Sequence, residues 1–321
     1  IEHTKKAIVM EDGEFAVLTR DSYSVRDIFT REIKEKTIME IEWDMEMSQK
    51  GGYPHYMLKE VHEQPHTVIN ALNVDGGEIE SLARAITESR QAYLVGAGTT
   101  YYVGMVAQYY FSALTGRFIP AICSDEFNNL AIVDRDSLVV AVSQSGETYD
   151  TLSALRFARE RGAKTAAIVN VMGSSIARLV DHVIMQGSGP EICVLSTKAA
   201  LAQMVILLRT AIAIARLGKL ISKKEEDSLK GDIANLPPLL EKILNEKSGL
   251  INNLARKNSR NKNWIFLGRG IYYPIALEAA LKYKEAAYLH AEGMPAGFLK
   301  HGTLALVDDD LYTLVFVPPQ S

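Results

Sequence analysis

Four stretches of this chain carry residue types that could do chemistry. The first is Ser143-Gln144-Ser145-Gly146-Glu147-Thr148, with three hydroxyls, one glycine and no cation. It follows an apolar run, Leu138-Val139-Val140-Ala141-Val142, that reads as a buried strand, and it precedes an amphipathic run over 151–161 that reads as a helix. A loop at the carboxyl end of a strand, opening onto a helix N-terminus, can hold a phosphate. Backbone N–H groups and hydroxyls donate, and the helix dipole favours the anion. The same residues also suit an ordinary capped turn, since Ser and Thr are common N-caps. A second hydroxyl turn, Leu195-Ser196-Thr197-Lys198, opens a long apolar helix over 199–217. In the third stretch, over 274–291, Glu278, Lys282 and Glu285 are spaced four and three apart and share one helical face. Glu278 and Lys282 can pair. Glu285, beside apolar Ala286, Ala287 and Leu289, is the candidate for proton transfer. A solvated charged stripe is the competing reading. The fourth stretch is Leu299-Lys300-His301-Gly302-Thr303, whose loop histidine can serve as an acid or base or be merely exposed. Neither metal nor cofactor is expected for this chemistry.

The elements that must position these residues alternate. From residue 75 on, the patterns predict helix 78–89, strand 92–95, helix 101–114 and strand 119–122, with Pro120 placing that strand near an edge. Strand 138–142, helix 151–161, strand 165–169, a short helix 174–179 and strand 183–185 follow. This alternation predicts a doubly wound α/β fold with a parallel sheet covered on both faces. The pattern then begins again: Leu94-Val95-Gly96-Ala97-Gly98-Thr99-Thr100-Tyr101-Tyr102 matches Phe266-Leu267-Gly268-Arg269-Gly270-Ile271-Tyr272-Tyr273. Two copies argue for duplication of a whole α/β unit. Neither Gly-x-Gly has the third glycine of the dinucleotide fingerprint, and tight turning explains both. A strand at 312–317 lines up with 138–142, and the second copy is expected to be incomplete where the sequence stops at Ser321. Residues 221–262 read as connecting helices with solvated faces. Ahead of all this, apolar runs 7–10 and 15–18 around Asp12-Gly13 predict a hairpin. Lys50-Gly51-Gly52-Tyr53-Pro54 reads as a linker, and 55–64 as a short helix that Pro65 ends.

The chain has 321 residues, 47% of them hydrophobic, which suffices for two ordinary domains. A net charge of -4 without a Lys/Arg cluster argues against a nucleic-acid partner. Gln203, Arg209 and Arg216 interrupt the apolar stretch 199–217, which suits a buried helix better than a membrane span. Two cysteines, Cys123 and Cys193, cannot make a disulfide framework and point to a cytoplasmic protein. Both are expected to be buried.

Taken together, Ser143 to Thr148, Ser196-Thr197-Lys198, Leu277-Glu278-Ala279-Ala280-Leu281-Lys282-Tyr283-Lys284-Glu285 and Leu299-Lys300-His301-Gly302 resemble one family. It is the isomerase half of the glutamine–fructose-6-phosphate aminotransferases, or glucosamine-6-phosphate synthases, built from two tandem sugar-isomerase (SIS) domains. Glu42-Trp43-Asp44 and Tyr56-Met57-Leu58-Lys59-Glu60 resemble the end of that family's glutaminase domain and its linker. The resemblance implies a glutaminase tail over 1–45, a linker over 46–74, a first SIS domain over 75–220, connecting helices over 221–262 and an incomplete second SIS domain over 263–321. It implies that Thr99, Thr100, Ser143, Gln144, Ser145 and Thr148 hold the phosphate and hydroxyls of fructose 6-phosphate, while Val194, Leu195 and Ser196 line the sugar. Glu285 would be the base, with Lys282 and Glu278 nearby. His301 would assist ring opening from a neighbouring subunit, so a homodimer is expected. Ammonia would come from a glutaminase domain, and glucosamine 6-phosphate would be the product.

Two departures matter. The family's glutaminase uses an N-terminal cysteine, whereas this chain begins at Ile1. The family also forms a Schiff base on a lysine close to its C-terminus, and Lys282, Lys284 and Lys300 do not fill that position by motif. The polypeptide is therefore expected to bind sugar phosphate better than it turns it over. Leu195 stands where the family more often has a small residue. A sugar-phosphate deaminase or isomerase using free ammonia, and a non-catalytic sugar-phosphate binder, stay open as alternatives.

Overall fold

The computed structural model describes residues 4–40 and 49–318 and divides into two compact units, Ile1–Pro54 and His55–Ser321. The resemblance at Glu42-Trp43-Asp44 lies outside the described residues.

The first unit contains β1 (Lys6–Ala7), β2 (Glu14–Leu18), β3 (Tyr23–Asp27), β4 (Ile33–Lys34) and β5 (Met39–Glu40). Asp12-Gly13 does turn the chain: the Glu14 N–H donates to the Glu11 carbonyl at 3.2 Å, with Gly13 at φ +82°. The expected hairpin across it does not form. Instead β1 pairs antiparallel with β5, and β2 pairs antiparallel with β3. The turn that sets the β2–β3 register is Thr19-Arg20-Asp21-Ser22. There the Thr19 N–H donates to the Ser22 carbonyl at 2.8 Å, and the Ser22 N–H donates to Thr19 Oγ1 at 3.0 Å. A hydroxyl-closed turn thus takes the place assigned to Asp-Gly.

The second unit opens with α1 (Tyr56–Asn73) and α2 (Gly76–Glu88). Pro65 lies inside α1 and does not end it. Packing against later helices overrides the break, and Arg209 donates to the Ala71 and Val74 carbonyls at 2.7 and 2.9 Å, satisfying the end of α1. Then come β6 (Gln91–Gly96), α3 (Thr99–Thr115), β7 (Ala121–Cys123), α4 (Ser124–Leu130), β8 (Ser137–Ser143), α5 (Tyr149–Glu160), β9 (Lys164–Val169), α6 (Ser175–Leu179), β10 (His182–Met185) and α7 (Lys198–Leu217). The five strands form one parallel sheet in the order β10-β9-β8-β6-β7, with β7 at an edge as Pro120 implied.

Alternate residues of each strand feed two separate cores. Leu94, Leu138, Val140, Val142, Ala166 and Ile168 pack against α1, α2, α3 and α7. Tyr93, Val95, Val139, Ala141, Ala167 and Val169 pack against α4, α5 and α6. The sheet is doubly wound, as its continuous apolar strands required. Helix α7 is long and apolar enough to cross a membrane, yet 67% of its most apolar window is buried within the fold. Cys123 and Cys193 are half-buried rather than fully buried, and burial pushes the Cys123 thiol up to about 11.

Two connecting helices, α8 (Lys223–Ala234) and α9 (Leu236–Lys257), lead to β11 (Asn263–Gly268), α10 (Tyr272–Ala287), β12 (His290–Pro295), two short 3-10 segments and β13 (Leu311–Val315). The second sheet is parallel in the order β12-β11-β13. That order repeats β7-β6-β8: the first strand is central, the next joins one side and the third joins the other. The duplication is therefore topological as well as sequential. The helix expected over 274–291 stops at Ala287. Tyr288 adopts a left-handed cap at φ +56°, and the following residues form β12. Gly293 of β12 lets that strand lie against α10, because a Cβ there would meet Leu277 Cα at 2.6 Å.

Candidate active site

The chain leaves β6 for β7 on one side of the sheet, while β8, β9 and β10 build the other side. The order therefore reverses between β6 and β8. In open α/β sheets the crevice beyond the carboxyl ends of two such strands is the place where ligands bind. Here it receives residues 96–100 after β6 and residues 143–148 after β8.

The first loop is held by its own atoms. A Cβ on Gly96 would approach the Thr100 carbonyl carbon to 2.9 Å, so only glycine fits. Thr100 Oγ1 donates to the Ala97 carbonyl and accepts from the Ala97 N–H, both at 3.0 Å, so this hydroxyl closes the turn. Thr99 begins α3 and is nearly buried; its Oγ1 donates to Glu278 Oε1 at 3.1 Å. That bond crosses from the first α/β copy to the second, along the packed pair α3 and α10.

The second loop is rigid at its base. Ser143, buried at the end of β8, accepts the Gly146 N–H at 3.0 Å and lies 3.5 Å from Thr148 Oγ1. The Gln144 carbonyl accepts the Asn170 N–H at 3.1 Å, and Ser145 Oγ accepts the Glu147 N–H at 3.2 Å. Gly146 sits at φ +67°, where a Cβ would fall 2.0 Å from Ser174 Oγ. Its carbonyl accepts the Ile176 N–H, and the Glu147 carboxylate accepts the Ser175 N–H at 2.8 Å, tying the loop to α6. Thr148 is the N-cap residue of α5, and among the described residues no side-chain bond caps that helix. The first amides of α5 thus face the loop without a side-chain acceptor, an arrangement suited to an anion.

Helix α10 supplies the titratable face. Lys282 Nζ lies 2.7 Å from Glu285 Oε2 and 3.5 Å from Glu278 Oε1, so one cation serves two carboxylates. Burial pushes the Glu278 carboxyl up to about 7, against the pull of Lys282 and the Thr99 hydroxyl. A carboxyl in that range can give or take a proton near neutrality. Spacing alone put the proton-transfer emphasis on Glu285. The depth of Glu278 comes from α3 covering it, which no local pattern reveals.

The loop over 190–197 is anchored by acids that sequence reasoning did not single out. Ser196 Oγ donates to Glu191 Oε2 at 3.0 Å, while Glu191 Oε1 accepts the Thr197 N–H at 2.8 Å and the Ala199 N–H at 3.3 Å. Glu191 therefore caps α7. Leu195 is buried, whereas Val194 is 91% exposed. His301 ends an exposed 3-10 segment beside the Phe298 ring. Among the described residues it makes no hydrogen bond or ion pair with Glu278, Lys282 or Glu285. Thr99 thus meets the α10 face beside the strand end that carries the 143–148 loop.

Known proteins match this architecture. The family described as SIS domain matches residues 85–213 and 259–320, one segment in each copy. Glutamine–fructose-6-phosphate aminotransferase [isomerizing] of Methanococcus maripaludis is 43% identical over 99% of this chain and 52% of its own length. The protein of the same name from Methanocaldococcus jannaschii is 41% identical over 100% of this chain and 29% of its own length. The chain thus spans about half, or less, of the curated relatives it matches. Among solved structures, the C-terminal domain of glucosamine-fructose-6-phosphate aminotransferase from Francisella tularensis superimposes with a TM-score of 0.79 at 36% identity, covering 85% of this chain and 78% of that one. On the match to both copies and on that shared domain, the chain belongs to the SIS-domain family, with the C-terminal domain of the glucosamine–fructose-6-phosphate aminotransferases.

Proposed function

We propose that this chain is the isomerase part of a glutamine–fructose-6-phosphate aminotransferase and turns fructose 6-phosphate and ammonia into glucosamine 6-phosphate. The Thr99–Glu278 hydrogen bond carries the reading. It joins the acid-bearing helix of the second copy to the switch-point crevice of the first, so anion cradle and proton-transfer face serve one site.

In this reading Ser143, Gln144, Ser145 and Thr148, with the first amides of α5, take the 6-phosphate. Thr99 and Thr100 shape the floor, and Val194, Leu195 and Ser196 border the sugar. Remote phosphate binding fixes the reacting carbons. Ammonia adds to the C2 ketone and water leaves, giving an imine that eases removal of a C1 proton. Glu285 takes that proton and returns it to C2, while the imine nitrogen gains a proton and the C1 hydroxyl loses one, which leaves an aldehyde at C1 and the amine at C2. Lys282, whose Nζ lies 2.7 Å from Glu285 Oε2, holds that side chain in place for the transfer. His301 assists ring opening from a second copy in a homodimer. The ammonia comes from a glutaminase domain, of which residues 1–45 are the tail, and the protein works in the cytoplasm.

The test is Glu285→Gln in the intact protein. Turnover falls by about a hundredfold or more, as for loss of a positioned acid–base group, while fructose 6-phosphate still binds by calorimetry. Retention of full activity would remove Glu285 as the base. Equal production of glucosamine 6-phosphate from ammonia and from glutamine would favour the ammonia-using deaminase reading instead.

A further inference from the structure

Residues 186–197 contain neither helix nor strand, yet they carry the side of the site assigned above to the sugar. Val194 is turned outward and holds nothing in place. Asn70 and Asn170 hold residues 187–189 at its start, and its middle is held by an acid from a distant helix. Glu60 of α1 is 1% exposed, and its Oε1 accepts the Ile192 N–H at 2.6 Å and the Cys193 N–H at 2.9 Å. These two amides immediately precede Val194, Leu195 and Ser196.

We propose that Glu60 is a positioning residue for the sugar-lining loop, setting where residues 194–196 stand relative to the α10 carboxylates. The inference rests on the functional reading above and deepens it. Three observations carry it. First, one carboxylate oxygen gathers two consecutive backbone amides, which fixes both the position and the orientation of the peptide planes. Second, a buried acid is a costly choice where packing alone is needed, because an apolar side chain fills such a position without desolvating a charge. Third, the loop lies within electrostatic reach of the site: burial, with Glu60 and Glu191, pushes the Cys193 thiol up, and Lys282 is among the groups that pull it down.

The surroundings explain how the acid is tolerated. Glu60 Oε2 is buried without a hydrogen-bond partner among the described residues. Burial raises the Glu60 carboxyl, the nearby Glu191 adds to this, and Lys198 opposes it along with the two amides. Lys198 is itself committed to Glu63 at 2.6 Å, and Lys59 lies 3.3 Å from the other Glu63 oxygen. A neutral side chain of the same length keeps an acceptor oxygen within reach of both amides. Glutamine has that shape; alanine has no acceptor, and aspartate is one methylene short.

The experiment compares Glu60→Gln, Glu60→Ala and Glu60→Asp in the intact protein by calorimetry, with fructose 6-phosphate and with inorganic phosphate. The phosphate cradle is on another loop, so the two ligands separate local positioning from general damage. Glu60→Ala is expected to lose about tenfold in fructose 6-phosphate affinity, a loss typical of a misplaced binding group, with phosphate binding unchanged. Glu60→Gln restores wild-type affinity. If Glu60→Ala does not fold, Glu60→Asp carries the same expectation. Wild-type affinity for the sugar phosphate in the Ala and Asp variants overturns the proposal, as does an equal loss for both ligands. Failure of the unaltered protein to bind fructose 6-phosphate defeats the functional reading itself.

Discussion

Between pH 4.5 and about 7, the Glu278 carboxyl is protonated in the folded chain and ionised in the unfolded one. The folded state binds the extra proton, so the stability linked to Glu278 is whole below pH 4.5 and is lost as pH rises through 7. The shift corresponds to a change on the order of 3 kcal/mol across that window. Glu278→Gln keeps the neutral form at every pH. Thermal unfolding from pH 4.5 to 7 is expected to show a falling midpoint in the wild type and a flatter curve in the variant; parallel curves would refute the assignment. The charged face itself was legible, because positions four and three apart on a helix must be neighbours. Glu60 and Glu191 were not. Apart from the Ser196 hydroxyl on Glu191, their partners are backbone amides, in the case of Glu60 132 and 133 residues away, and a backbone amide has no residue type to recognise.

At the scale of elements, Gly146 is where loop, α5 and α6 meet. A Cβ there would overlap Ser174 Oγ, and the backbone is left-handed. Gly146→Ala is expected to destabilise the fold by about 2–4 kcal/mol and to weaken phosphate binding, checked by denaturant melts and phosphate titration. Unchanged binding would show that the loop is not the cradle. The strands around this loop were readable from β-branched and apolar runs: β6, β8 and β9 follow the expected segments closely. Strand β12 was not, since His-Ala-Glu-Gly-Met-Pro has no β-branched residue and owes its extension to pairing with β11. Pro65 misled for a related reason: a local break was outweighed by packing and by the Arg209 cap. Likewise, Asp12-Gly13 makes a real turn, but turn chemistry does not say which strands pair beyond it.

At the scale of the molecule, α7 is the shared spine of the first sheet's inner core, packed by α1, α2 and α3. Leu207 lies fully inside it. Leu207→Ala is expected to cost about 2–5 kcal/mol, read as a shifted denaturation midpoint with unchanged slope. Lys50, exposed and followed by Gly51 and Gly52 in left-handed conformations, marks the join between the two compact units. Brief trypsin treatment is expected to cut after Lys50 and leave a resistant fragment containing residues 55–318; early cleavage within the parallel sheet would contradict that division. The duplicated topology was visible in the two Gly-x-Gly turns, but the way one copy serves the other was not.

The Thr99–Glu278 contact closes a loop of 179 residues. Contacts so distant in sequence form late, because chain entropy is lost before they can reward it. During refolding, then, the local β–loop–α segment that carries residues 143–148 is expected to form before Glu278 reaches Thr99.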